Sequence, residues 1–211
     1  MINLYKGNCL ELMDNIPDKS VDLILCDLPY GTTDCKWDII IPFDLLWKQY
    51  NRVIKDNGAI VLFSAQPFTT KLIHSNLKNF KYCWYWRKKK ANGFCFAKYQ
   101  PMREIEEICV YYKKMPTYNP QGLIEIKNPK VRQKKVSVGS IYNTKHLIKP
   151  FMSKYTNYPK NVLEFVHDKD RVHPTQKPVK LLEYLIKTYT NEGETVLDNC
   201  MGSGSTRRRV C

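Results

Sequence analysis

The sequence predicts an α/β domain built on a mainly parallel sheet, and three observations carry that reading. Val21-Asp-Leu-Ile-Leu-Cys-Asp27 is a short apolar run ending in Asp-Leu-Pro-Tyr-Gly31, the pattern of a buried strand followed by a turn. Apolar residues then recur at helical spacing, at Phe43, Leu46, Trp47, Tyr50, Val53 and Ile54, with Asp56-Asn-Gly58 as a stop. Ala59-Ile-Val-Leu-Phe-Ser64 is a second buried apolar run, and strand, helix, strand at this spacing is a βαβ unit.

The later elements follow in order. Residues 67–78 suit a helix with Pro67 in its first turn. Tyr82-Cys-Trp-Tyr-Trp86 and Ile105-Glu-Glu-Ile-Cys-Val-Tyr-Tyr112 are β-prone and can pair, with Arg87-Lys-Lys-Lys90 and Asn92-Gly93 between them. From about 115 to 172 periodicity fades while Pro, Asn, Lys and Tyr become frequent. Tyr118, Tyr142, Phe151, Tyr155 and Tyr158 are aromatic anchors there, so the stretch reads as a loop-rich insertion or small lobe. Beyond Pro178, Leu181, Leu182, Leu185, Ile186 and Tyr189 form one helical face. Thr195-Val-Leu-Asp198 is a last strand, running into Gly202-Ser-Gly204.

The formal charge of +14 is concentrated in one block. Residues 1–80 carry net −1, residues 81–160 net +14 and residues 161–211 net +1. A basic block between two near-neutral stretches suits a surface facing a polyanion; a generally basic, solvated surface is the alternative. A hydrophobic content of 43% can build a core, which excludes disorder, and 211 residues suit one domain or a domain plus a lobe. No apolar run nears the roughly 18 residues of a membrane span, and the N-terminus lacks a signal-peptide pattern, so the expected location is the cytoplasm. The eight cysteines are scattered without a Cys-x-x-Cys pair and the four histidines lack ligand spacing, which points to reduced thiols and to no zinc site.

Two loops leave predicted strand ends, where parallel sheets hold their ligands: Asp27-Leu-Pro-Tyr-Gly31 and Asp198-Asn-Cys-Met-Gly-Ser-Gly204. The second lacks the third glycine of a dinucleotide fingerprint, since position 207 is Arg, which argues against NAD; a tight turn or a nucleoside site both remain open. In the first, a carboxylate and a backbone carbonyl can accept the two protons of an exocyclic amine, and Tyr30 offers a face to a flat ring. That describes a pocket for a base taken out of a duplex, against the simpler reading of an Asp-Pro turn closing a strand.

Asp27-Leu-Pro-Tyr30 resembles the Asp-Pro-Pro-Tyr catalytic motif of amino-group DNA methyltransferases. His173-Pro-Thr-Gln-Lys-Pro178 and the helix after it resemble the segment that precedes their AdoMet loop, and Val196–Thr206 resembles that loop itself. Catalytic motif first, variable recognition region next and AdoMet loop last is the order of the circularly permuted β group. The resemblance implies a Rossmann-like, AdoMet-dependent sheet with residues 1–114 as the catalytic half, 115–172 as the target-recognition region and 173–211 as the cofactor segment.

It further implies that Asp27 and the Leu28 carbonyl, fixed by Pro29, accept the protons of a flipped adenine amine while Tyr30 stacks on the base. Leu28 departs from the family's first Pro but keeps the carbonyl. An Asp at the start of the motif favours adenine N6 over cytosine N4. S-adenosyl-L-methionine would be held by Asp198, Gly202, Gly204 and Ser205, with Thr175 and Lys177 at its carboxylate. Cys200 stands where the family often has Phe. Double-stranded DNA would lie along Pro101 and the basic block, with Arg87, Lys88, Lys89, Lys90, Lys130, Arg132, Lys134 and Lys135 as phosphate contacts.

After Thr206 the family continues with a helix and two strands, whereas this sequence ends at Arg207-Arg-Arg-Val-Cys211. By resemblance the sheet would lack its last two strands, leave the Thr195–Asp198 strand as an edge, and bind AdoMet and methylate weakly unless a second subunit or a fragment completes it. A partner endonuclease, a homodimer, an inactive DNA-binding remnant and an RNA methyltransferase are the other readings consistent with the sequence.

Overall fold

A computed structural model of the chain describes residues 2–132, 151–169 and 176–202. They fall into two units, Met1–Asn119 with Asn161–Cys211, and Pro120–Lys160.

In the first unit a short helix, α1 (Cys9–Met13), starts under Asn8, whose side chain accepts the Leu10 N–H. There follow β1 (Val21–Asp27), α2 (Phe43–Val53), β2 (Ile54–Ser64), α3 (Phe68–Ser75), β3 (Phe80–Asn92) and β4 (Arg103–Tyr111). The second unit contributes β5 (Ile124–Glu125), β6 (Val131–Arg132), β7 (Phe151–Met152) and β8 (Tyr155–Thr156). In it β5 pairs antiparallel with β8 and β6 with β7. The chain returns to the first unit with β9 (Val162–Glu164), α4 (Val179–Tyr189) and β10 (Val196–Leu197).

The six-stranded sheet has the order β10-β1-β2-β4-β3-β9. Every neighbouring pair is parallel except the two made by β4, which runs against β2 and β3. The βαβ unit is β1-α2-β2, as the spacing predicts. Among the described residues β10 is an edge strand, paired with β1 alone.

Alternation along the strands sorts two apolar layers. Leu23 and Leu25 of β1, Ala59, Val61 and Phe63 of β2, and Trp84 and Trp86 of β3 face Leu181, Leu182, Leu185 and Ile186 of α4. Ile24, Cys26, Ile60 and Leu62 point the other way, into Leu46, Trp47 and Tyr50 of α2 and Phe68 and Leu72 of α3. Each Leu, Ile, Val or Phe among them, fully buried, contributes about 1.5–3 kcal/mol, so the two layers hold the strand ends of the sheet in fixed register.

The structure departs from the sequence reading in two long strands and one short one. β2 starts at Ile54, and the Asp56-Asn-Gly58 stop is absorbed where the β1–β2 register shifts between Val21 and Leu23. β3 does not end at Trp86 but continues through the basic run to Asn92, because β4 offers ladder partners as far as Arg103. The parallel strand β9 lies in a stretch read as loop; at three residues it is too short to show a period.

Candidate active site

Asp27 is the last residue of β1, and Asp198 follows β10, the parallel neighbour of β1. Both therefore leave the sheet at its carboxyl edge, where they line one cleft of about 1040 Å³ together with Leu28, Pro29, Tyr30, Lys88, Glu106, Lys177, Cys200 and Gly202. The Tyr50 hydroxyl of α2 donates to Asn199 Oδ1 at 2.6 Å, and Asp198 Oδ1 accepts the Cys200 N–H at 3.2 Å. The start of the second loop is thus tied down at two points. Among the described residues no atom stands within 4 Å of a Cβ placed at Gly202, which lines the cleft.

A buried ionic cluster surrounds Asp27. Lys177 Nζ lies 2.7 Å from Asp27 Oδ2 and 2.9 Å from Glu106 Oε1, and Lys88 Nζ lies 2.6 Å from Glu106 Oε2. The Tyr30 hydroxyl is 2.8 Å from Asp27 Oδ1 and 3.2 Å from Glu106 Oε1, and its one proton is shared between the two acceptors. Two carboxylates and two ammonium groups balance, which is the condition for keeping charges out of water. Burial works against ionised Glu106, yet Lys177 and Lys88 outweigh it and hold the carboxyl below its ordinary range. Burial likewise works against the Lys177 charge, and Asp27 and Glu106 outweigh it and hold that ammonium above its ordinary value. Burial, with the nearby Asp27 and Glu106 charges, pushes the Tyr30 phenol well up, so it stays neutral. The Tyr30 ring stacks on Phe68 at 5.1 Å and 25°.

The loop after Tyr30 is shaped by Asp38. Its carboxylate accepts N–H groups from Gly31, Thr32 and Thr33 at 2.8–2.9 Å and the Thr33 hydroxyl at 2.8 Å. Gly31 has φ +65°, and a Cβ there would stand 2.9 Å from Ile40 Cγ1, so only glycine fits. Burial raises the Asp38 carboxyl, but the Gly31, Thr33 and Thr32 donors outweigh it and bring it below its ordinary range. A folded-state pKa below the unfolded one gives stability that is present above the ordinary carboxylate range and lost as pH falls through the folded value. Asp38→Ala is expected to cost about 2 kcal/mol at neutral pH, as hydrogen bonds to a charged group do. Urea unfolding should show that deficit, and should show it closing as the pH is taken below 4.

The structure brings Asp27, Leu28, Pro29, Tyr30, Asp198, Gly202 and Lys177 to one cleft, as the motifs suggest. It places two lysines differently from the sequence reading. Lys177 meets Asp27 and Glu106, and Lys88 meets Glu106, because ammonium groups this buried need anionic partners within the protein. Arg87 is half exposed and pairs with Glu164 at 3.2 Å and with Glu104 at 3.8 Å. Lys89 and Lys90 are exposed at the cleft, Pro101 is exposed, and Lys130 is exposed in the second unit. Thr175, Gly204, Ser205, Lys134 and Lys135 and the side chain of Arg132 lie outside the described residues. The sequence reading missed Glu106, Asp38 and Asp168. Asp168 takes the Val179 N–H at 3.0 Å, at the positive end of α4.

A model of the DNA methylase family with N6 or N4 amino-group specificity matches residues 21–210. The chain is 29% identical over 226 residues to the type II methyltransferase M.HpaI of Haemophilus parainfluenzae, covering 99% of this chain and 66% of that protein. It is 28% identical over 222 residues to the DNA adenine methyltransferase YhdJ of Escherichia coli K12, covering 96% of this chain and 72% of that protein. The fold matches that of the cytosine-N4-specific PvuII DNA methyltransferase with a TM-score of 0.68 at 17% identity, over 97% of this chain and 77% of that one. Against M.HpaI the chain spans just under two thirds of the relative's length. No helix among the described residues is long and apolar enough to cross a membrane. With nearly the whole chain inside the family match, and a mainly parallel sheet that sets Asp27 and Asp198 on one cleft, this protein belongs to the amino-group DNA methyltransferases.

Proposed function

We propose that this chain moves a methyl group from S-adenosyl-L-methionine to the exocyclic N6 of an adenine turned out of double-stranded DNA. The observation that carries the reading is the single cleft of about 1040 Å³ onto which both Asp27 and Asp198 open. It is large enough for a nucleoside-sized cofactor beside a base. The donor set at its β10 side suits the cofactor: the Asp198 carboxylate for amino or hydroxyl groups, and the backbone at Gly202 for a close approach. When bound, the cofactor supplies an electrophilic methyl group on a sulfonium.

An aromatic amine is a poor nucleophile because its lone pair is delocalised into the ring. Asp27 and the Leu28 carbonyl accept its two protons and draw the lone pair out of the ring, and Asp27 then takes the proton the nitrogen must shed. Lys177 and the Tyr30 hydroxyl each hold one Asp27 oxygen, which fixes the carboxylate plane and still leaves a lone pair on each oxygen. Tyr30, backed by Phe68, presents a braced ring for the base. Lys89 and Lys90 at the cleft, with Lys130 of the Pro120–Lys160 unit, are the proposed phosphate contacts, and that unit is the proposed core of the target-recognition region.

Adenine is favoured by the Asp that opens the motif, and YhdJ is named as an adenine enzyme. The test is incorporation from labelled AdoMet into unmethylated genomic DNA, followed by digestion to nucleosides. Label in N6-methyladenine is expected. Label confined to N4-methylcytosine would replace adenine by cytosine, and salt-sensitive DNA binding without incorporation would leave a DNA-binding remnant.

A further inference from the structure

β4 lies antiparallel to both β2 and β3, so β3 runs in the same direction as β1. The carboxyl end of β3 therefore leaves the sheet at the same edge as Asp27, and Lys89, Lys90 and Asn92 line the cleft with it. The connection from there to β4, residues 93–102, turns through Gly93 at φ +94° into a single 3-10 turn at Phe94–Phe96. It exposes three aromatic rings: Phe94 is 80%, Phe96 58% and Tyr99 86% accessible. Residues 88–103 hold five basic side chains and no acidic one. Rings held this far into water are a standing cost unless a partner covers them, and the surrounding charge selects an anionic partner with flat faces.

We propose that this tip is a stacking wedge for duplex DNA, with Phe94 and Tyr99 inserting against the base step that an extruded base vacates. The proposal rests on the base-extruding reading above. A base drawn into the cleft at Asp27 leaves its gap in the duplex next to the cleft mouth, and the tip begins directly after Asn92, which lines that cleft. An aromatic ring restores the stacking on both sides of such a gap, and Lys89, Lys90, Lys98 and Arg103 meet the flanking phosphates.

The probe is a duplex with one tetrahydrofuran abasic site, compared with the same duplex intact, each titrated with the full chain by fluorescence anisotropy. The wild type is expected to prefer the gapped duplex by about tenfold, the effect of one good base–aromatic stack. The preference should fall to near one in Phe94→Ala/Tyr99→Ala and return in Phe94→Trp/Tyr99→Phe. Tyr99→Ala alone, with an unchanged melting curve, gives the same test if the double variant folds poorly. A wild type without preference, or a double variant that keeps it, overturns the wedge while salt-sensitive binding to intact duplex still upholds a DNA substrate. Absence of salt-sensitive binding to either duplex sinks both readings. A wild-type dimer that the double variant splits, with no preference for the gap, makes the tip a self-interface and overturns the wedge alone.

Discussion

Asp27→Ala is expected to lower methyl incorporation by about 10³-fold or more, the scale on which removing an aimed group at the reacting centre acts. The loss should fall on kcat, because the carboxylate is asked to stabilise charge that develops on the amine only as the methyl group transfers. Asp27→Asn keeps the shape and one acceptor oxygen but cannot take up the amine proton, so it should be nearly as slow. Single-turnover transfer of labelled methyl from AdoMet at saturating DNA measures both. Rates within tenfold of wild type in both variants would remove Asp27 from the reaction and with it the proposed base pocket. A second consequence is structural. Without the carboxylate, Lys177 keeps only Glu106 as an anionic partner, and the variant should also be less stable. Thermal melting read beside the rates separates the two effects.

Much of this molecule was legible in its sequence, and the parts that were not share a physical cause. β1, α2, β2 and α4 are recognisable because each buries a periodic apolar face, and strands with both faces covered read as continuous hydrophobic runs. Asp27 and Asp198 are recognisable because a chemical pattern follows a strand end. Glu106 does not stand out because its strand, Arg103–Tyr111, carries three glutamates, and which of them turns inward depends on strands distant in the chain. A signal existed all the same. In Glu106-x-Ile108-x-Val110 alternation puts the carboxylate on the face of two core residues, and in Trp84-x-Trp86-x-Lys88 it does the same for the ammonium. Two opposite charges on the inward face of neighbouring strands predict a buried pair. The run Arg87–Lys90 is uniform as a tally of charge and divides into inward and outward positions once that alternation is applied. Asp38 was missed for a different reason: it serves backbone N–H groups five to seven residues away in an irregular loop, and such turns have no period.

That buried pair carries the second large expectation. Glu106→Gln leaves Lys88 and Lys177 in place with one carboxylate, Asp27, between them, and breaking a buried ion pair from one side costs about 3–5 kcal/mol. For a chain of this size that is a fall in Tm of roughly 10 °C. The pH dependence has a definite sign. Glu106 titrates below its ordinary 4.5 in the fold, so its contribution is present above that value and is lost as pH falls through the folded pKa. Lys177 titrates above its ordinary 10.5, so its contribution holds below that value and is lost only as pH rises through the folded pKa. Wild type and Glu106→Gln should therefore differ by a constant amount between about pH 5 and pH 10 and converge in acid. Lys88→Met isolates the pair. If Glu106 serves mainly to neutralise Lys88, the double variant Glu106→Gln/Lys88→Met recovers much of the loss, since no ammonium is then left without its carboxylate. If Glu106 serves mainly to position Lys177 on Asp27, stability recovers in the double variant while methyl transfer stays slow, because Lys177, held from one side only, no longer fixes the Asp27 carboxylate at the same angle. The second outcome is expected: Lys177 is shared between Asp27 and Glu106 at 2.7 and 2.9 Å, so removing one carboxylate must redraw its geometry at the other.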